Sequence, residues 1–275
     1  MILVSRSSGR LGNQLFQLSN TLNLRLKKQF VVFLGFNEAH ALLGRLAVRS
    51  IRIPVPNPLY HQAKRFFRWL QSVPGVSTVT RGSRNSARDE AKHFLVELLD
   101  EQDCHYPRML VGNDVLQRCS QIVAGMADGN PREKCFVHIR LGDYSSFIVG
   151  AGPVEIPMSW YEEQMAEIRR SNPGILFQIF SDEPAKVGER ISIQPDTEVI
   201  KADTHASFAG MARSMMGILS ASTFSWWAAA VAHSSGARGP FIAPAGWENW
   251  RAGTLSNPEK NSPWLRYNLV RDRGD

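Results

Sequence analysis

The sequence predicts an α/β protein built from two doubly wound parallel-sheet units facing across a cleft. Three observations lead there. The N-terminal apolar run MILVS leads into a glycine-containing loop and then a helical pattern. The stretch 135–144, CFVHIRLGDY, is an apolar run that ends in a charged turn. From residue 132 onward, apolar runs alternate with helical patterns, which is the pattern of a parallel sheet with crossover helices. The chain has 275 residues, 43% hydrophobic and 21% charged, enough for two cores.

Residues 1–5 read as a buried strand. In the loop SSGRLGNQLFQ, Gly9 and Gly12 bracket a turn, and Leu15, Leu18, Leu22 and Leu26 follow at near-helical spacing. A strand, a glycine loop and a helix start together present backbone N–H groups to an anion. The spacing fits neither the dinucleotide fingerprint nor the P-loop. Asn13 and Gln14 read either as amides held toward a ligand or, for Asn13, as a helix cap. Residues 30–34 are a second strand, and three prolines keep 51–58 out of a helix.

Residues 60–70, YHQAKRFFRWL, predict an amphipathic helix. Tyr60, Ala63, Phe66, Phe67 and Leu70 share one arc; His61, Lys64, Arg65 and Arg68 share another. The charged arc is either a solvated face or a surface that meets an anionic membrane or a lipid-linked acceptor. Residues 75–91 read as a polar loop and 106–126 as helical, ending at the turn signal Gly129-Asn130-Pro131. That turn is the expected boundary between a domain over 1–130 and a domain over 131–246, with 247–275 a tail packing back on the first.

In the second half, 135–139 read as a buried strand, which puts Arg140 and Asp143 in the turn at its carboxyl end. Ligands of open α/β sheets sit there, and a guanidinium can bond phosphate bidentately. The competing reading is an Arg140–Asp143 pair that only fixes the turn. Helix 159–170 is expected to start with a capping box of Ser159 and Glu162. Strand 175–180 ends in Ser181-Asp182-Glu183, where Asp182 either accepts hydrogen bonds from a nucleoside or caps the next helix. A short strand at 198–200, a helix at 205–215 and a strand at 216–219 follow. Ser220 to Ser225 then form a strand-to-helix junction whose hydroxyls and free N–H groups suit phosphate. Residues 241–244 are the last strand before a Trp-rich tail.

The net charge is +7, and residues 41–90, with nine basic residues and two acids, hold an excess equal to the whole. One basic face is therefore expected, rather than a nucleic-acid binder basic throughout. Cys104, Cys119 and Cys135 match neither a disulfide framework nor a zinc pattern, and point to a reducing compartment. No apolar run approaches the roughly 18 residues of a membrane span, and the N-terminus has no signal-peptide pattern, so a cytoplasmic protein is expected.

Four motifs, GRLGNQLFQ (9–17), VHIRLGDY (137–144), FSDE (180–183) and STFSWWAAA (222–230), resemble in order and spacing those of glycosyltransferase family 11, the α-1,2-fucosyltransferases. That family lies in a superfamily with the α-1,6- and protein O-fucosyltransferases. The resemblance implies a GT-B-like fold and inverting, metal-independent transfer of fucose from GDP-β-L-fucose to a sugar hydroxyl. It implies that Arg140 holds the β-phosphate, His138 lies by the guanine and Asp182 reads the guanine or its ribose. Ser222, Thr223 and Phe224, with Ser225 beside them, would cradle the diphosphate. Gly12 and Asn13 would reach the donor near the reacting centre, and Asp143 matches a family acid.

The sequence departs from the family pattern at three places. Leu141 stands where a second arginine is usual, Glu183 where an aspartate is, and Ala228 where a glycine is. No Asp-x-Asp metal pair occurs, so Arg140 and the 222–225 helix start would offset the charge that grows on GDP. Asp143 is the first candidate for the general base and Glu163 the second. The competing functions are an inverting transferase of another nucleotide sugar and a nucleotide-sugar binder without chemistry. The bacterial-type reading adds a glycan acceptor, lipid-linked at an inner membrane face, with peripheral contact through 60–70.

Overall fold

Parallel strands carry both halves of the chain. The computed structural model describes residues 2–25, 28–44, 49–56, 59–79, 96–99, 111–126, 133–252 and 262–271. They belong to two compact units, Met1–Cys119 and Ser120–Asp275.

In the first unit β1 (Ile2–Arg6), β2 (Phe30–Leu34), β3 (Ser50–Ile53), β4 (Val76–Val79) and β5 (Val96–Leu99) form one sheet in the order β3-β2-β1-β5-β4, all parallel. Central β1 is buried from Leu3 to Arg6, as a strand covered on both faces must be. Helices α1 (Leu11–Leu24), α2 (Asn37–Leu43) and α3 (Tyr60–Leu70) follow the first three strands. On one face Val4 and Leu98 pack with Val32, Leu34 and Leu70. Strand β4 lies inside the stretch expected to be loop; residues 80–95 fall outside the described residues.

Helix α4 (Asn113–Gly125) carries the division between the units, seven residues along, rather than the Gly129-Asn130-Pro131 turn. Its two ends are tied differently. The N–H of Gly112 donates to Ser19 Oγ in the first unit, whereas Arg213 Nη1 donates to the Met126 carbonyl in the second.

The second sheet holds β6 (Lys134–Ile139), β9 (Leu176–Ser181), β10 (Thr197–Ile200), β11 (Met216–Ile218), β12 (Phe241–Pro244) and β13 (Leu265–Asn268). Their order, β10-β9-β6-β11-β12-β13, is the 3-2-1-4-5-6 arrangement of doubly wound dinucleotide-type folds. A two-strand hairpin, β7 (Ile148–Val149) and β8 (Gly152–Pro153), stands in the loop after β6. Helices α5 (Met158–Ser171), α6 (Pro184–Arg190), α7 (Thr204–Ala212) and α8 (Thr223–Ser234) make the connections. Their core joins Val137, Ile139, Phe177, Ile179, Ile218 and Ile242 from the sheet to Trp160, Tyr161 and Met165 of α5.

Two local expectations fail here. Helix α5 begins one residue early, at Met158 after Pro157, so Ser159 caps nothing, and Glu162 Oε1 instead accepts from the Ser192 N–H at 2.9 Å. The tail, expected to pack on the first unit, belongs to the second unit where it is described. It supplies β13, paired with β12, and Trp264 packs its ring on Trp226, His233 and Phe241. Trp226 Nε1 donates to Ser262 Oγ at 2.9 Å, fastening α8 to this strand. Among the described residues no helix is long and apolar enough to cross a membrane.

Candidate active site

The order of successive strands in the second sheet reverses between β6 and β11, which run parallel, and ligands of such sheets bind outside the carboxyl ends at that crevice. Register then decides which side chains meet there. Ile139 of β6 lies beside Ser181 of β9, so the next residues, Arg140 and Asp182, leave neighbouring strands side by side. Arg140 Nε lies 3.1 Å from Asp182 Oδ2. The same guanidinium donates to Asp143 Oδ1 from Nε at 3.1 Å and from Nη2 at 2.9 Å. Its carbon stands 5.5 Å from the Tyr144 ring centroid. Burial works to lower the Arg140 pKa, but Asp182 and then Asp143 outweigh it and hold the pKa above the ordinary arginine value. The two readings of Arg140 are thus joined. It does pair with Asp143, and a second carboxylate from β9 fixes the fork at the sheet edge, with the side chain still 22% exposed.

Asp182 is fully engaged inside the protein. Its Oδ1 accepts the Leu141 N–H at 3.0 Å while its Oδ2 meets Arg140. It does not cap α6, whose preceding residue is Glu183. The close approach needs a glycine, because a Cβ on Gly142 would lie 2.4 Å from Asp182 Oδ2. Gly142→Ala is therefore expected to swing the carboxylate off Arg140 and lower kcat/KM by about 10–100-fold, in line with the cost of small misplacements at a reacting centre. Thermal unfolding should change little beside this loss. Unchanged kcat/KM would show that the Asp182–Arg140 pairing does not matter to turnover.

Leu141 points away from the site. It is 3% exposed and belongs to the hydrophobic core, so the position that usually carries a second arginine supplies packing here and no charge.

His138, one strand position before Arg140's turn, is buried, and its Nδ1 lies 2.7 Å from Ser220 Oγ at the end of β11. Its ring stands 5.6 Å from that of Phe224. Burial, with the Arg140 charge adding to it, pushes His138 down to about 3, so the imidazole is neutral at physiological pH. Tyr144 Oη donates to the Ala221 carbonyl at 2.8 Å and ties the charged turn to the loop before α8. Burial raises the Tyr144 pKa well above its ordinary value, with Glu248 adding to the rise, so the phenol stays a donor.

The α8 start is capped as the hydroxyl-rich sequence predicts: Ser222 Oγ accepts the Phe224 N–H at 3.3 Å. Ser225 differs from expectation. It is fully buried and its hydroxyl donates to the Ser222 carbonyl at 3.0 Å, so it braces the turn from behind instead of lining a ligand face. Thr223 and Phe224 are only partly covered at the first turn of α8.

The glycine loop of the first unit is held from within. Helix α1 starts at Leu11 with Arg10 at the cap position, so Asn13 lies in the first turn and is not the cap. A Cβ on Gly9, which has φ +70°, would fall 2.4 Å from Asn13 Nδ2. Gly12 is buried beneath the same turn. Gln14, read as a ligand contact, is buried and works structurally: it donates to the Gly9 carbonyl at 3.1 Å and accepts the Ala39 N–H at 3.0 Å. Gln17 grips Ser8 through both its N–H and its hydroxyl. Glu38 accepts the Leu11 N–H at 3.1 Å and pairs with Arg10 at 2.7 Å, so a carboxylate already occupies that helix start.

The structure therefore brings together His138, Arg140, Asp143, Asp182, Ser222 and Phe224. The second base candidate, Glu163, is exposed on α5 and is not among Arg140's partners. Sequence reasoning gave no role to Tyr144 or Glu38, and it read Ser220 as part of a phosphate-suited junction where its hydroxyl meets His138. Tyr144 lies in the 3-10 turn that follows β6, and Glu38 in the first turn of α2.

The fold is shared with solved glycosyltransferases. The E. coli heptosyltransferase WaaC with ADP superposes with a TM-score of 0.52 at 12% identity, covering 97% of this chain and 92% of that one. E. coli ADP-heptose LPS heptosyltransferase II gives 0.51 at 13%, covering 97% and 89%. POFUT1 in complex with GDP-fucose gives 0.49 at 13%, covering 87% and 97%. No protein of curated function matches the sequence. The family profile of glycosyl transferase family 11 matches residues 108–259, which takes in the whole Arg140 cluster and the α8 start. The chain is a GT-B glycosyltransferase and belongs to glycosyltransferase family 11, a family of fucosyltransferases.

Proposed function

We propose that this protein transfers L-fucose from GDP-β-L-fucose to a sugar hydroxyl, with inversion and without a metal. The acceptor position is the 2-OH of a galactoside, giving an α-1,2 linkage in a glycan. The observation that carries the reading is Arg140, held by Asp143 and Asp182 at the sheet reversal. In the reaction the bond between fucose C1 and the β-phosphate oxygen breaks, and GDP leaves with the electron pair. The acceptor oxygen bonds C1 from the opposite face. Arg140 and the N–H groups of the α8 start offset the charge growing on GDP, as preorganised donors do. Asp143, 65% exposed in its side chain, is free enough to take the hydroxyl proton while Asp182 keeps the fork in place. His138 and Asp182 stand on the nucleoside side and Asn13 orients the reacting groups. The acceptor is carried on a lipid.

Transfer from a different nucleotide sugar on the same scaffold is the competing reading; Leu141, which leaves this turn without the usual second arginine, bears on the acceptor and linkage. Incubation with GDP-fucose and a panel of β-galactosides, followed by NMR of the product, separates the two. The expected product is α-linked at O2 and forms equally well with chelator present. A β-linked product would refute inversion, and loss with chelator reversed by a divalent cation would refute metal independence. Product from another nucleotide sugar and none from GDP-fucose would overturn the donor assignment.

A further inference from the structure

Helix α3 turns an aromatic and cationic face outward. Among its described side chains, Leu70 anchors it, packed against Val4 and Leu98. At about 100° per residue, Arg68, Arg65, Trp69, Gln62 and Phe66 fall in that order on one arc of about 160°, which ends at Phe66 beside Leu70. All five are exposed, with Phe66 at 52% and Trp69 at 59%. This corrects the expected arcs: Phe66 does not face the core, and Trp69, which belonged to neither arc, is exposed beside it. Leu59, just before the helix, is 45% exposed. The chain around it carries one sign of charge. Between Glu38 and Asp89 there are nine basic residues and no acid.

Two large rings beside two guanidiniums on one helical face are a poor solvent surface and a good interfacial one. The rings are stacked on each other, centroids 5.7 Å apart at 29°. Each therefore has one face covered by the other. The pair forms an apolar ridge and not the open platform that a nucleic-acid base would stack upon. We propose that this face docks on an anionic phospholipid bilayer. Phe66 and Trp69 enter the headgroup–acyl boundary, and Arg65 and Arg68 bind lipid phosphates. This surface also suits a lipid-carried acceptor, but it does not depend on the donor chemistry.

Co-sedimentation of the full chain with vesicles tests it. Phosphatidylcholine vesicles are compared with vesicles that also contain phosphatidylglycerol. At low salt the protein should pellet with the anionic vesicles only, and added salt should release it. Arg65→Glu with Arg68→Glu should weaken vesicle affinity by more than about 20-fold, since each cation near such a surface is worth about fivefold. Phe66→Ser with Trp69→Ser should also lose binding although the charge is unchanged. GDP binding by both double variants serves as the folding check, because none of the four residues belongs to the candidate active site. The proposal is overturned if wild type stays in the supernatant with anionic vesicles. It is equally overturned if the aromatic double variant pellets as well as wild type, or if RNA displaces the protein from vesicles and binds both aromatic forms alike.

Discussion

Replacing Arg140 with alanine is expected to lower kcat/KM by about two to three orders of magnitude, the cost of removing one preorganised group aimed at developing charge. The loss should fall mainly on kcat, because the charge on the leaving GDP is greater in the transition state than in the bound donor. Arg140→Lys should recover only part of it. A lysine keeps the charge but cannot present a planar fork held by Asp143 and Asp182 at once. The fold should survive both changes, since Arg140 lies in a turn beyond the end of β6 and Leu141 beside it anchors the turn in the core. Steady-state kinetics on the two variants check this. Wild-type turnover by Arg140→Ala would mean that the guanidinium only fixes the turn.

The second large effect is on stability and comes from His138. Its folded-state pKa, about 3, lies below the ordinary imidazole value, so the unfolded chain takes the proton first. The His138 contribution is complete above the ordinary imidazole pKa. It is lost as pH falls from there toward the folded value, at about 1.4 kcal/mol per pH unit. Denaturant unfolding of wild type and His138→Gln at a series of pH values isolates this slope. The wild-type curve should fall more steeply between neutral pH and pH 4, and the two should converge as acid is added. Parallel curves would show that the imidazole is not held neutral against Ser220 in a dry site.

The apolar run before Arg140 made the central strand of the second sheet legible, because a strand buried on both faces shows as uninterrupted Cys135-Phe136-Val137. The alternation of runs and helical patterns made the doubly wound class legible for the same reason. What stayed hidden is whatever depends on partners distant in sequence. Asp182 meets Arg140 only because β9 pairs with β6 in one particular register, and no local pattern encodes that register. Ser220 meets His138 because β11 crosses to the other side of β6. The tail read as a separate segment because LRYN is too short and too polar to stand out, and its strand character comes from pairing with β12. Phe66, expected on the core-facing arc and found exposed, was misjudged in a different way. Periodicity sorts residues by polarity, and an apolar ring that faces outward breaks the assumption behind it. Gln14 and Ser225 mark the same limit in small polar residues. A side chain near a ligand-type loop can hold the loop instead of the ligand, and its hydrogen bonds decide which.

GDP release from GDP-fucose, measured with and without galactoside acceptors for wild type and Arg140→Ala, tests the central claim most directly. The account predicts acceptor-dependent release by wild type that the Arg140→Ala protein lacks. Failure of wild type to bind GDP or release it with any acceptor, in protein shown to be folded, would contradict it.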